Sequence, residues 1–151
     1  MTASKKRSPN TGEQSDKPWG GRFAGATAEL MERFNASISF DRRLYRADIE
    51  GSRAQSRVLM RAGILTQDEC DRVLAGLDQV EGEIDRDELP LTDDLEDIHM
   101  AIEKRLTEIV GPVGGKIHTG RSRNDQVALD EQLFLREAIA GTQEQIDRLQ
   151  R

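Results

Sequence analysis

The sequence is poor in cysteine, histidine and aromatic residues. Its 151 residues include one cysteine, two histidines and 4% aromatic residues. One cysteine excludes an intramolecular disulfide, and with two histidines it forms no recognisable zinc or haem set. No run of 18 apolar residues occurs, so we expect no membrane-spanning segment. The polar residues 1–17 lack the apolar centre of a signal peptide, and the composition favours a cytoplasmic protein.

The charge balance is acidic. The chain has 22 Lys and Arg against 28 Asp and Glu, which gives a net charge of −6 and a pI near 5.0. Such a chain is a poor candidate for nonspecific nucleic-acid binding. Helix-forming residues are abundant and clusters of β-branched residues are few, so we expect an all-α protein.

Apolar spacing divides the chain into a tail and several helices. Residues 1–18 lack periodicity, which predicts a disordered polar tail, and Ala26–Phe34 is typical of a short helix. Longer helices are predicted over Arg42–Ala62, from a capping box at Thr66, and over Leu95–Val110. An acidic linker is expected over residues 85–94. The expected buried stripes are Leu44, Ala47, Gly51, Ala54, Val58 and Ala62; then Cys70, Val73, Leu77, Val80 and Ile84; then Ile98, Ile102, Leu106 and Ile109.

A last, long helix is predicted from about Asn124. Its apolar seam has the spacing of long, nearly parallel helices and consists of Leu135, Ile139, Thr142, Ile146 and Leu149. The seam continues to the end of the sequence without a helix stop signal. We expect either an oligomer or a longer protein, and the lack of a stop signal favours the longer protein.

Nine polar residues, HTGRSRNDQ, precede this helix. The guanidinium groups of Arg121 and Arg123, the amide of Asn124 and the hydroxyls of Thr119 and Ser122 could join the helix N-terminus in holding an anion with several oxygens. A dicarboxylate or a phosphate would fit that description. The alternative is a capped turn, because the residues from Ser122 onward also match a capping box. The residues alone leave both interpretations open.

A second polar cluster, EDIH, lies at the start of the Leu95–Val110 helix. Asp97 could hold a guanidinium or ammonium group, or it could orient an arginine such as Arg121. The alternative is that these acids only stabilise a helix N-terminus, with His99 at the edge of the buried stripe. Ser37 by itself is a loop serine. No Ser/His/Asp set with a recognisable order occurs, so the residues alone predict a helical protein with an anion site.

The segments WGGRF, FNASISFD, EDIH and GKIHTGRSRNDQVALD resemble, in this order and spacing, the N-terminal third of the argininosuccinate lyase family. That family belongs to the fumarase/aspartase superfamily and is closely related to the delta crystallins. The resemblance covers about residues 19–151. WGGRF and FNASI distinguish it from adenylosuccinate lyase, fumarase and aspartase.

The resemblance implies the N-terminal helical domain of a fumarase/aspartase-like fold over residues 19–122 and the first part of the central long-helix bundle over residues 123–151. It also implies a homotetramer whose active sites are shared between subunits. The implied reaction is the reversible β-elimination of argininosuccinate to arginine and fumarate, with no metal or organic cofactor. The implied substrate-binding residues are Ser37, Arg123, Asn124, Asp97 and Asp41, and the implied supporting residues are His99, Arg121, Thr119 and Ser122.

The family's catalytic threonine–histidine pair and its flexible GSSxMPxKxN-like loop have no counterpart in these 151 residues. The resemblance therefore implies that the acid and the base lie beyond Arg151, and that the 151-residue chain is an incomplete, inactive fragment. Two non-catalytic alternatives remain open. A delta-crystallin-like protein would share every motif, and a helical oligomerisation module would use the C-terminal seam.

Overall fold

The computed structural model describes residue 31, residues 34–92 and residues 95–151. The chain divides into a unit of residues 1–35 and a unit of residues 36–151. The second unit holds every helix and every site residue discussed below. The predicted tail over residues 1–18 lies outside the described residues, and so does most of the helix predicted over Ala26–Phe34.

From Ile38 to Leu149 the structure describes α-helices and 3₁₀ segments in the following order. They are α1 (Ile38–Asp41), a 3₁₀ turn (Arg42–Leu44), α2 (Tyr45–Arg61), α3 (Gln67–Asp85), α4 (Ile98–Val110), a 3₁₀ segment (Gly111–His118) and α5 (Arg123–Leu149). Helix α2 packs against α3 and α5, and α3 also packs against α4. The described residues contain no strand, which confirms the all-α prediction. Among those residues, no helix combines the length and the apolar character that crossing a bilayer would need.

Side chains fix the N-termini of three helices. Thr66 forms the predicted capping box of α3. The Oγ of Ser122 accepts a hydrogen bond from the Asn124 N–H at 3.2 Å, so the predicted cap of α5 is confirmed too. Asp97 caps α4 by accepting from the Met100 N–H at 2.6 Å. Each cap satisfies a backbone donor that the helix itself leaves free.

The apolar stripes of α3 and α4 form most of the hydrophobic core. The fully buried members include Val73, Leu77, Ile98, Ile102 and Leu106, as the spacing predicted. Ile84 and Ile109 pack against this core while staying partly exposed. Cys70 is also buried, which confirms its prediction as a small core residue.

The stripe predicted for α2 is only partly correct. Val58 is 55% exposed, and Ala54 and Ala62 are exposed as well. The buried face instead carries polar residues, with Ser52 and Asp48 each 1% exposed. Gly51 allows α5 to approach α2 closely, because a Cβ on Gly51 would lie 3.2 Å from a methyl carbon of Leu129 on α5.

Only the first turns of α5 join the core. Gln126 and Asp130 are buried, whereas the residues of the seam defined above are largely exposed. Leu135, Ile139, Ile146 and Leu149 are the large apolar members of that exposed face. At 1.5 Å per residue, the 27 residues of α5 extend about 40 Å.

Candidate functional site

The segment before α1 is joined to the start of α4. The backbone N–H groups of Ser37 and Ile38 donate to the Glu96 carbonyl at 2.7 and 3.1 Å. Asp41 is buried and bridges the two segments, because it accepts from the Ser37 hydroxyl at 2.6 Å and from the Ile98 N–H at 3.2 Å. Two predicted substrate-binding residues, Ser37 and Asp41, therefore form one hydrogen-bonded unit at the N-terminus of α4.

Arg123 lies beside this unit, on the first turn of α5. Its Nε is 3.5 Å from an oxygen of Asp97, and an Nη atom is 3.9 Å from Glu103. Its shortest contact is a hydrogen bond of 2.6 Å to Oε1 of Gln126. Asn124 is exposed on the same turn. The structure thus brings Arg123 close to Asp97, whereas the sequence interpretation had considered Arg121 as a partner for that acid.

An open cleft of about 540 Å³ adjoins these residues. Its walls combine acids, a hydroxyl and apolar side chains, so the cleft can contact both polar groups and hydrocarbon. The lining residues include three of the predicted substrate-binding residues, Ser37, Asp41 and Asp97, and also Phe40, Arg43, His99, Val127, Glu131 and Phe134.

The three supporting residues of the loop before α5 are placed differently from one another. Arg121 turns inward, and its guanidinium donates to the Ser52 hydroxyl on α2 at 3.1 Å. Thr119 is exposed, and its carbonyl accepts from the side-chain amide of Gln55 at 3.1 Å. Ser122 is occupied as the cap of α5. Because these contacts serve the loop itself, they stabilise its conformation.

His99 is buried between two carboxylates. Its Nδ1 lies 3.4 Å from Oδ1 of Asp48 and 3.3 Å from Oδ2 of Asp130, and none of the three residues exceeds 2% exposure. Gln126 donates its amide to Asp48. Asp48, His99 and Gln126 line one small pocket together with Arg121. We call Asp48, His99, Asp130 and Arg121 the buried charge cluster.

The charges in this cluster balance when His99 is protonated. Burial alone would lower the pKa of His99, but Asp130 and Asp48 outweigh that effect and raise it to about 9. Burial opposes ionisation of Asp48 as well, yet the neighbouring His99 holds the pKa of Asp48 below its usual value. For Asp130, burial and the charge of Asp48 raise the pKa. When both carboxylates are ionised, they face one imidazolium and one guanidinium.

The same geometry could receive a metal ion. Asp48, His99 and Asp130 each offer one ligand atom, and these atoms lie within 4.8 Å of one another. Carboxylate and imidazole ligands suit ions such as Zn²⁺. However, Arg121 already contributes one positive charge, so a divalent ion would leave the cluster net positive, whereas a protonated His99 makes it neutral.

Comparison with known proteins identifies the family. A family model described as lyase matches residues 21–151. The chain belongs to this lyase family. It is 52% identical over 141 residues to the argininosuccinate lyase of Thioalkalivibrio sulfidiphilus, an alignment that covers 93% of this chain and 30% of the relative. It is 56% identical over 121 residues to that of Desulfatibacillum aliphaticivorans, covering 80% of this chain and 26% of the relative.

These matches confirm the resemblance inferred from the sequence motifs. A third relative, the argininosuccinate lyase of Nitrosococcus oceani, is 52% identical over 134 residues, which cover 89% of this chain and 29% of that lyase. The chain spans less than a third of the length of these relatives. The segments FNASISFD, EDIH and HTGRSRNDQ lie within the residues 21–151 that the family model matches.

Sequence reasoning missed Asp48, Gln126 and Asp130. Gln126 and Asp130 are four residues apart, so they share one face of α5, and Asp48 stands four residues before Ser52 on α2. This spacing of polar residues was the available signal. It was not decisive, because identical spacing on a solvent-exposed helix face is common.

Proposed function

We propose that this chain is part of an argininosuccinate lyase, which cleaves argininosuccinate reversibly to arginine and fumarate in arginine biosynthesis. The observation that supports this most directly is the convergence of Ser37, Asp41 and Asp97 on one cleft beside Arg123. Argininosuccinate carries carboxylates, an ammonium group and a guanidinium group, so its site needs acids and cations close together. The relatives described above are argininosuccinate lyases, which agrees with this substrate.

In this proposal the residues at the start of α5 bind the succinyl carboxylates. Arg123 supplies a guanidinium and Asn124 an exposed amide, and the helix N-terminus adds a favourable dipole. β-Elimination places negative charge on a carboxylate next to the carbon that loses its proton, so donors aimed at these oxygens stabilise the transition state. Asp97 and Asp41 face the amino-acid and guanidinium end, and Ser37 contacts the substrate between them.

His99, Arg121, Thr119 and Ser122 hold this arrangement in place. Their contacts join α2, α4 and α5 around the cleft, so they act through the residues that touch substrate. The groups that move protons are assigned to other parts of the complete enzyme. We propose further that this enzyme is a cytoplasmic homotetramer, and that the exposed seam of α5 is one of its subunit contacts.

A chimaera tests this function. Residues 21–151 would replace the matching segment of the Thioalkalivibrio sulfidiphilus lyase, and fumarate release from argininosuccinate would be followed at 240 nm. We expect turnover by the chimaera, a loss of at least about 100-fold on Arg123→Ala with the oligomer retained, and no turnover by the isolated 151-residue chain. A chimaera that assembles like the relative but releases no fumarate contradicts the proposal.

A further inference from the structure

Gln126 connects two charged groups that do not touch each other directly. Its side-chain oxygen accepts from Arg123 at 2.6 Å, and its side-chain nitrogen donates to Oδ1 of Asp48. Gln126 is 5% exposed, so water cannot readily replace either partner. A glutamine is suited to this position because one end of its amide accepts and the other donates.

Arg123 depends strongly on this contact. Its Nε lies 3.5 Å from a carboxylate oxygen of Asp97, and an Nη atom lies 3.9 Å from one of Glu103. Both distances exceed ordinary hydrogen-bond lengths. Of the contacts that the Arg123 guanidinium makes with described residues, the bond to Gln126 is therefore the one that is short and directional. An arginine held only by long ion pairs could adopt several rotamers, whereas this bond favours one.

The other end of Gln126 is fixed by the buried charge cluster. Asp48 is 1% exposed and lies beside His99, which is also in contact with Asp130 on α5. Gln126 and Asp130 are one helical turn apart, so the cluster holds this turn of α5 at two points. Displacing Asp48 would separate buried opposite charges, which is costly in a low-dielectric interior.

We propose that Gln126 is a positioning residue that fixes the Arg123 guanidinium at the cleft by anchoring it to the buried charge cluster. The role of Arg123 in holding a substrate carboxylate rests on the proposed function, but its immobilisation by Gln126 does not. The amide is specifically required. A glutamate would place a third carboxylate beside Asp48, and a methionine of similar length would offer Arg123 no comparable acceptor.

The immobilisation can be measured without substrate by nitrogen-15 relaxation at the arginine Nε atoms of the 151-residue chain. We expect the Nε of Arg123 to be rigid, in contrast to that of Arg148, whose side chain is 74% exposed. Gln126→Met should make Arg123 as mobile as Arg148. The matched control is Gln79→Met, which removes a bond to Glu83 on α3 and should leave Arg123 rigid.

Two results of the relaxation experiment would overturn the inference. One is a wild-type Arg123 as mobile as Arg148, a measurement that needs no variant to fold. The other is an Arg123 that stays rigid in a folded Gln126→Met chain.

Activity then separates the inference from the proposed function. In an active chimaera, Gln126→Met should lower kcat/KM about tenfold or more, because a small error in the placement of a binding group reduces the rate strongly. Gln79→Met should leave kcat/KM unchanged. An inactive chimaera contradicts the proposed function and leaves the relaxation result standing. An active chimaera whose Gln126→Met variant keeps full kcat/KM contradicts the positioning role alone.

Discussion

Nδ1 of His99 lies 3.3 Å from a carboxylate oxygen of Asp130, and both side chains are almost completely withdrawn from solvent. The pair joins α4 to α5 at the point where α5 leaves the core. Asp48 on α2 and Arg121 in the loop before α5 complete a charge-balanced set, so the interior of this helical unit is stabilised partly by ion pairs. Several consequences can be measured.

Replacing His99 should destabilise the chain severely. In His99→Ala, Asp48 and Asp130 would share a buried site without the imidazolium between them, and removing one partner of a buried ion pair costs about 3–5 kcal/mol. Urea unfolding monitored by circular dichroism would measure this loss. The control is Glu144→Gln, whose exposed pair with Arg148 is worth at most about 0.5 kcal/mol. A His99→Ala variant as stable as Glu144→Gln would contradict the ionic role.

The stability of the chain should fall as the pH rises from about 6.5 to about 9. The pKa of His99 is raised to about 9 in the folded chain from an ordinary value of 6.5, so the folded state holds this proton more tightly. The stabilisation is fully present below pH 6.5 and is lost as the pH passes through 9. The charged groups that face or influence His99 are Asp48, Asp130, Asp97, Arg121 and Glu103.

Unfolding free energies measured at intervals across this window would test the pH dependence. The loss should approach roughly 3 kcal/mol if the full shift is expressed. His99→Ala should lack this part of the pH dependence, because it lacks the titrating group. A wild-type chain with constant stability from pH 6.5 to 9 would show that His99 is neutral in the fold.

Gly76 allows α3 to pack closely on α4, and an alanine there should be destabilising. The Cβ of an alanine at position 76 would lie 2.7 Å from methyl carbons of both Leu106 and Val110. Overpacking of this kind costs about 1–3 kcal/mol. Gly141 on α5 is the matched control, because nothing lies within 4 Å of its Cβ position. Gly141→Ala should stabilise the chain by up to about 1 kcal/mol, and thermal unfolding of both variants would show whether the two effects are opposite.

Disrupting the seam of α5 should reduce self-association. Ile139 is 56% exposed, and a charge placed there by Ile139→Glu would have to be desolvated in a contact between copies. Ala140→Glu places the same charge on another exposed face of α5 and should have little effect. Sedimentation velocity at several concentrations would compare both with the wild type. Equal sedimentation of all three chains would argue against a seam-mediated assembly.

The sequence predicted the features that depend on neighbours along the chain. The capping boxes at Thr66 and Ser122 involve residues three positions apart, so their chemistry is visible without a fold. The core stripes of α3 and α4 follow a simple helical period. Of the two interpretations of HTGRSRNDQ left open, the capped turn is confirmed by Ser122, and the anion site stays a prediction.

What the sequence could not predict was the burial of polar residues on α2. Asp48 and Ser52 pair with Gln126 and Arg121, which are about 70 to 80 positions away in the chain. Spacing gives no information on such pairs, so an apolar stripe through Val58 was the simpler prediction. His99 was likewise placed at a boundary, because its partner Asp130 belongs to a helix whose docking the sequence does not reveal.

The backbone hydrogen bonds that attach the Ser37 segment to Glu96 have a consequence for sequence divergence. The bonds from the Ser37 and Ile38 amides end on a backbone carbonyl, which every amino acid possesses. Glu96 adopts φ of +62°, where glycine and asparagine fit more easily than most residues. These two hydrogen bonds therefore do not depend on which side chain occupies position 96, whereas a proline at position 38 would remove one of the two donors and weaken the attachment.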